Sequence, residues 1–134
     1  MHRRAILAVA LAAPLLAACG TTTQSSSGDF AGTEKEVADA VGDLQQAASR
    51  KQADKICDDL LTRGFAASLQ VRGSDCEAEV GKALDDSEDL ELVVRDVSVN
   101  GAAATARVVR SDGGRPAAFR LENVRGTWRV ASFG

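Results

Sequence analysis

The sequence has 134 residues and carries 16 Lys+Arg against 19 Asp+Glu, so its net charge at pH 7 is −3. A chain of this length holds one small domain rather than two, and its acidic balance argues against nucleic acid as a partner. The sequence contains a single histidine, His2, and no tyrosine, so of these two side chains that often serve proton transfer, one is rare and the other is missing.

The N-terminus has the pattern of an export signal. Basic residues at positions 2–4 precede an apolar run over residues 5–16, and Leu16-Ala17-Ala18-Cys19-Gly20 resembles a lipobox. The run is shorter than the ~20 residues that span a bilayer as a helix. The alternatives are an uncleaved anchor or a chance Ala/Leu run. We predict that residues 1–18 are a lipoprotein signal peptide and that Cys19 takes a diacylglycerol on the extracytoplasmic face of the cell membrane.

Residues 19–32 are predicted to be the lipidated cysteine and a flexible tether, and residues 33–134 the folded domain. The tether is small and polar apart from Phe30, so it cannot bury enough surface to order itself. A chain of this kind has a root-mean-square reach of ~20 Å. The domain is therefore expected to stand just clear of the lipid headgroups.

Lipidation of Cys19 leaves Cys57 and Cys76 as an even pair. Exported proteins meet an oxidising environment, so the sequence predicts a disulfide between them. A metal site is the weaker alternative, because two cysteines need further ligands and the single histidine lies in the signal peptide. We predict no metal and no cofactor.

Three helices are predicted in the first half of the domain. Thr33 is expected to cap a helix over residues 33–49, whose apolar residues recur at helical spacing. A second helix is expected over residues 52–61. The capping-box pattern at positions 74–77 opens a third helix, which places Cys76 in its first turn. The disulfide would then join the second helix to the third.

From residue 90 the apolar pattern alternates, which predicts four strands in an antiparallel meander. Asn100-Gly101, Asp112-Gly113-Gly114 and Arg125-Gly126 mark the turns, and a phase slip at Asp96 predicts a bulge. Helices followed by strands indicate an α+β fold with three helices packed on a curved four-stranded sheet. The predicted inward positions are Leu92, Val94, Ala104, Ala106, Val108, Phe119, Leu121, Trp128 and Val130.

The helices, the cysteine pair and the closing run from Val124 to Val130, VRGTWRV, resemble the NTF2-like (cystatin-like) superfamily over residues 33–134. More narrowly, they resemble small lipoproteins of actinobacterial type within it. The resemblance implies a cone-shaped half-barrel wrapped on helices, often with a pocket. Such domains include isomerases, dehydratases and many non-catalytic binding proteins.

No set of residues has the pattern of a catalytic site. The inward strand positions are apolar, so they cannot transfer protons. Asp96 is the one acid that could turn inward at the bulge, although a surface acid is the simpler interpretation, and Asp58 and Asp59 are expected on a solvated helix face. We predict no catalytic residues, which leaves an isomerase or dehydratase as the weakest functional hypothesis.

Small side chains at Ala104 and Ala106 could leave a pocket that Phe119 and Trp128 would also line. Such a pocket would suit a lipid or another hydrophobic ligand. The alternative is that helix residues fill this space and that Trp128 is core. A carrier or sensor of a hydrophobic ligand is therefore our second functional hypothesis.

The first hypothesis is an interaction module that uses the outer face of the sheet. Four arginines are predicted there, Arg95, Arg107, Arg120 and Arg129, roughly one on each strand. Residues 91–134 hold 7 basic and 4 acidic residues, whereas residues 33–90 hold 7 basic and 14 acidic residues. Such a face could dock an acidic envelope protein or polymer, and the alternative is an ordinary solvated face. The sequence does not predict an oligomeric state.

Overall fold

The structure is a computed structural model that describes residues 29–87, 91–111 and 113–134. The predicted signal peptide, Cys19 and most of the tether lie outside the described residues. The helical half contains α1 (Gly32–Ser49), α2 (Ala53–Lys55), a π-helical segment (Ile56–Leu60), α3 (Arg63–Ser68) and α4 (Cys76–Asp86). The strands are β1 (Leu92–Asn100), β2 (Ala103–Arg110), β3 (Ala117–Val124) and β4 (Thr127–Phe133). No helix in the described ranges is long and apolar enough to cross a membrane.

The sheet is the antiparallel meander that the sequence predicts, with strand order β1-β2-β3-β4. The β1–β2 register shifts between Val94 and Asp96, which confirms the bulge. Arg125 and Gly126 both have left-handed backbones, with φ of 53° and 87°. This combination gives a two-residue hairpin turn that follows the twist of the sheet.

One face of the sheet carries the core. Eight of the nine predicted inward residues are buried, and Leu92 is partly buried. Helix α1 packs on β1 and β4 and buries one face, on which Val37, Ala38, Val41, Leu44 and Ala47 lie. These spacings of three and four residues are those of an amphipathic helix. The predicted cap is wrong, because α1 begins at Gly32 and Thr33 lies inside the helix with no side-chain capping bond.

The second predicted helix is wrong in its second half. After α2 the backbone widens into the π-helical segment, where the Leu61 N–H donates to the Ile56 carbonyl at 3.0 Å. Leu61 then leaves the helix in an extended conformation and forms a parallel bridge with Val130. The Thr62 N–H donates to the Val130 carbonyl at 2.9 Å. Pairing with β4 therefore ends the helix early and ties the helical layer to the sheet.

The described ranges contain four α-helices where the sequence predicted three helices, because α3 forms in a stretch for which no helix was predicted. Thr62 caps α3, and its hydroxyl oxygen accepts from the Phe65 N–H at 3.2 Å. In α4 the cap is Asp75, whose carboxylate accepts from the Ala78 N–H at 2.8 Å. Cys76 lies in the first turn of α4 as predicted, one residue after this cap.

The predicted disulfide between Cys57 and Cys76 is present, with the Cα atoms 6.1 Å apart. It joins the π-helical segment to the start of α4. Helix α4 packs mainly against α2 and the π-helical segment rather than on the sheet. The disulfide therefore holds a helix whose remaining packing is local.

Candidate functional site

The helical layer does not close over the whole inner face of the sheet. A cavity of about 1040 Å³ lies between the C-terminal half of α1, helices α3 and α4, and the sheet. Because α4 packs on α2 instead of the sheet, it forms one wall of this space. The apolar side chains that the helices contribute include Leu44, Ala48, Ile56, Val80, Ala83 and Leu84. The strands contribute Leu92, Phe119 and Phe133.

Two phenylalanines, Phe119 and Phe133, lie on the sheet side of the cavity, and Phe65 of α3 packs against the second of them. The Phe133 ring lies 5.1 Å from the Phe65 ring in an edge-to-face contact and 4.7 Å from the Phe119 ring. The Phe133 side chain is nevertheless 49% exposed, because it stands where the cavity opens. Beyond it, the Gly134 N–H donates to the Ala118 carbonyl at 2.9 Å and fixes the end of β4.

Sequence reasoning missed Phe133 because of a second irregularity in the sheet. Phe119 pairs with Phe133 and Leu121 with Val130, so β4 has one more residue than β3 over this stretch. An extra residue in one strand reverses the alternation of side chains between the two faces. Strict alternation from Val130 would have placed Ser132 inward and Phe133 outward.

The predicted pocket is wrong for three of its four residues. Phe119 lines the cavity, but Ala104, Ala106 and Trp128 are buried in the core and are not part of its wall. They belong to the same buried cluster as Val37 and Val41. Helix α1 contacts β2, the strand that carries both alanines, and the cavity lies farther along this helix, from Leu44 onward.

Polar side chains surround the opening of the cavity. Three of them are serines at helix ends, Ser49, Ser68 and Ser87, and the charged residues are Lys51, Glu79 and Glu91. Lys51 forms an ion pair with Asp85 of α4 at 3.1 Å. We call this ring of polar residues the rim. Sequence reasoning missed it, because its members come from three helices and from the loops that follow α1 and precede β1.

Two of the four arginines predicted on the outer face of the sheet interact with other groups of the protein. Arg107 forms an ion pair with Asp96 at 2.7 Å, which also shows that Asp96 points outward rather than into the core. Arg129 donates from Nη1 to the carbonyls of Asp58 (2.6 Å) and Leu61 (3.3 Å). Arg129 thus binds the end of the π-helical segment and links it to β4.

Arg95 and Arg120 remain exposed on this outer face. Docking of an acidic partner there stays a prediction, and it now rests on these two residues. Asp58 and Asp59 are exposed as predicted. In the described part of the chain, no group of three or more His, Cys, Asp or Glu side chains could hold a metal ion.

No protein-family model matches the chain, and no curated protein matches it in sequence. Among solved structures it is similar to an NTF2-like protein of unknown function from Silicibacter pomeroyi DSS-3. The TM-score is 0.51 at 19% identity, and the match covers 71% of this chain and 87% of that chain. The fold is NTF2-like.

A second NTF2-like protein of unknown function, from Shewanella baltica OS155, aligns with a TM-score of 0.49 at 18% identity, covering 73% of this chain and 87% of that chain. The NTF2-like fold carries many unrelated functions, so a function has to be argued from the cavity itself.

Proposed function

We propose that this protein is a lipid-anchored extracytoplasmic binding protein that holds a small hydrophobic ligand between its helices and its sheet. The apolar cavity of about 1040 Å³ carries the proposal. Ligand sites are typically concave, roughly 300–1,000 Å³ in volume, and apolar apart from a few polar groups. The cavity of the NTF2-like domain has this composition, with hydrocarbon walls and a polar rim.

Binding rather than catalysis is supported by the side chains that surround the cavity. Those on the sheet side are Leu92, Phe119 and Phe133, which hold no proton that could be transferred. The ionisable groups lie at the rim, where they can orient a ligand without taking part in chemistry. The role that the sequence placed first, docking through the outer face, is less well supported because Arg107 and Arg129 are already engaged.

A substitution that fills the cavity tests this proposal. We expect Ala83→Trp to weaken binding of Nile red, an uncharged apolar dye, by about tenfold or more, because the indole would occupy the space of the ligand. Ala78→Trp is the matched control, since Ala78 is an exposed alanine of the same helix that does not line the cavity. Dye fluorescence titrations measure both affinities. Equal affinities for the two variants would contradict ligand binding in this cavity.

The anchor is supported by the lipobox at residues 16–20, and the Cys57–Cys76 disulfide is typical of proteins in oxidising compartments. Two acyl chains on Cys19 would give firm attachment where a single chain gives marginal binding.

Mass spectrometry of the protein purified from membranes tests the anchor. We expect a chain that begins at Cys19 with a diacylglycerol mass. The Cys19→Ala variant should keep residues 1–18 and carry no acyl mass, whereas Thr21→Ala, two residues further on, should be processed normally. A wild-type chain that starts at another residue, or that lacks the lipid, would refute the anchor without affecting the cavity.

A further inference from the structure

The charges around the cavity point to the chemical class of the ligand. We propose that the ligand is an amphiphile with an apolar part that occupies the cavity and a positively charged end, an amine or quaternary ammonium group, that lies at the rim. This inference rests on the proposed function, since it concerns the same cavity.

The first observation is the balance of charged side chains at the rim. Glu79 and Glu91 both line the cavity, and neither carboxylate has an ion-pair partner among the described residues. Lys51 is the one cation among the described residues of the lining, and Asp85 already pairs with it at 3.1 Å. The rim and this partner therefore carry one positive and three negative charges.

The second observation is the direction of the helices. The last residue of α1, Ser49, and the C-cap of α4, Ser87, both lie at the rim. The C-terminal end of a helix is the negative end of its dipole and favours a cation within about one turn. Neither helix has a basic residue in its last turn, and Lys51, the one cation of the described lining, already pairs with Asp85 of α4. Arg50 follows α1 in sequence but does not line the cavity.

The third observation is that the three serines at the helix ends have already used their hydroxyl protons. Ser49, Ser68 and Ser87 each donate to a carbonyl three residues earlier, at 2.9, 2.6 and 3.3 Å. A hydroxyl that donates its one proton can still accept hydrogen bonds. The oxygens of these hydroxyls can therefore accept from an ammonium N–H or face the positive charge of a quaternary ammonium, and the hydroxyls offer no proton to an anionic group.

The apolar floor determines where the charge of the ligand must lie. A charged group in contact with Ile56 or Phe119 would lose its hydration without compensation, which is costly. At the rim the same group keeps contact with water and with the two glutamates. Because these glutamates are partly screened by solvent, each contributes a preference of a few fold rather than a tight ion pair.

The test compares three probes that share a decyl chain and differ in the head group. They are decyltrimethylammonium, decyl penta(ethylene glycol) ether and decyl sulfate, each titrated into the full chain below its micelle concentration. We expect the cationic probe to bind roughly fivefold more tightly than the uncharged probe, and the anionic probe to bind least tightly. Glu79→Gln should reduce the cationic preference to about twofold and leave binding of the uncharged probe unchanged.

Glu122→Gln is the control, since Glu122 is an exposed acid on the outer face of the sheet and its removal should leave all three affinities as they are. Circular dichroism at each end point verifies that the probes leave the domain folded. Equal affinity for the three head groups, a preference for decyl sulfate, or a cationic preference that stays at about fivefold in Glu79→Gln would overturn this inference while ligand binding stands. Failure of all three probes to bind would overturn the proposed function as well.

Discussion

Replacing Cys57 and Cys76 together by alanine is expected to lower the free energy of unfolding by about 3 kcal/mol. The disulfide closes a loop over a sequence separation of 19, and the chain-entropy model gives about 3 kcal/mol for a loop near this length. The effect is large because α4 packs mainly against α2 and the π-helical segment. Without the covalent bond this helix is held by local contacts alone, and it forms one wall of the cavity.

Urea unfolding followed by circular dichroism measures this loss. For a domain of about 100 residues, such a change corresponds to a decrease of at least about 10 °C in Tm. Reduction of the wild-type protein with dithiothreitol should reproduce the change, and the double-alanine variant should not respond to dithiothreitol. Unfolding midpoints that match between the oxidised wild type and the variant would contradict the stabilising role of the disulfide.

Loss of the disulfide should affect the cavity before it affects the sheet. Strands β1 to β4 are joined by a continuous hydrogen-bonded ladder, whereas α4 depends on the bond at Cys76. Amide hydrogen exchange in the variant is therefore expected to rise first in α4, since local opening follows the least stabilised element.

The sheet was predictable because the sequence patterns that indicate its strands and turns are local. Alternation of apolar and polar residues fixed the inner face, and the glycine turns fixed the hairpins. The same holds for the bulge at Asp96, where the alternation itself slips by one residue. The bulge in β4 is not visible in this way, because Val130, Ala131, Ser132 and Phe133 are compatible with either register. Only the pairing with β3 decides that Phe133 faces the cavity.

The cavity was not predictable, because it results from the way the helices are placed. Periodicity identifies an apolar face on α4 but not the element that covers it. In the structure α4 packs beside α2, so Val80, Ala83 and Leu84 line the cavity instead of packing on the sheet. The predicted pocket assumed that small residues in strands make room, whereas Ala104 and Ala106 are buried in the core and do not line the cavity.

The hydrogen bonds of Arg129 were not predictable for the same reason, because they also depend on how the helical layer is placed. Its position on the outer face of β4 follows from the alternation, but its partners are backbone carbonyls of Asp58 and Leu61. These carbonyls become available only because the π-helical segment ends beside β4. Of the four arginines predicted on the outer face, Arg129 therefore has a structural role, because it links β4 to the helical layer.

Leu61→Ala is expected to lower the free energy of unfolding by about 3 kcal/mol, the lower part of the range for a fully buried leucine. Leu61 is 1% exposed and bridges to Val130 at the point where the helical layer meets the sheet. Truncation to alanine removes apolar contacts there. Because Leu61 also lines the cavity, water can fill part of the space that the side chain leaves, which limits the loss of stability.

Leu60→Ala is the matched control, since Leu60 is the same residue type one position earlier and is only partly buried. Its truncation should cost about 1 kcal/mol. The two leucines would be equivalent if residues 52–61 were one amphipathic helix that packs on a neighbour through a broad face. The difference between the two losses in free energy of unfolding measures how much the extended backbone at the end of the π-helical segment contributes. This change of conformation places Leu61 in the core and Leu60 at the edge of the core. Equilibrium urea unfolding of both variants gives the comparison, and equal losses would contradict the role assigned to the bridge between Leu61 and Val130.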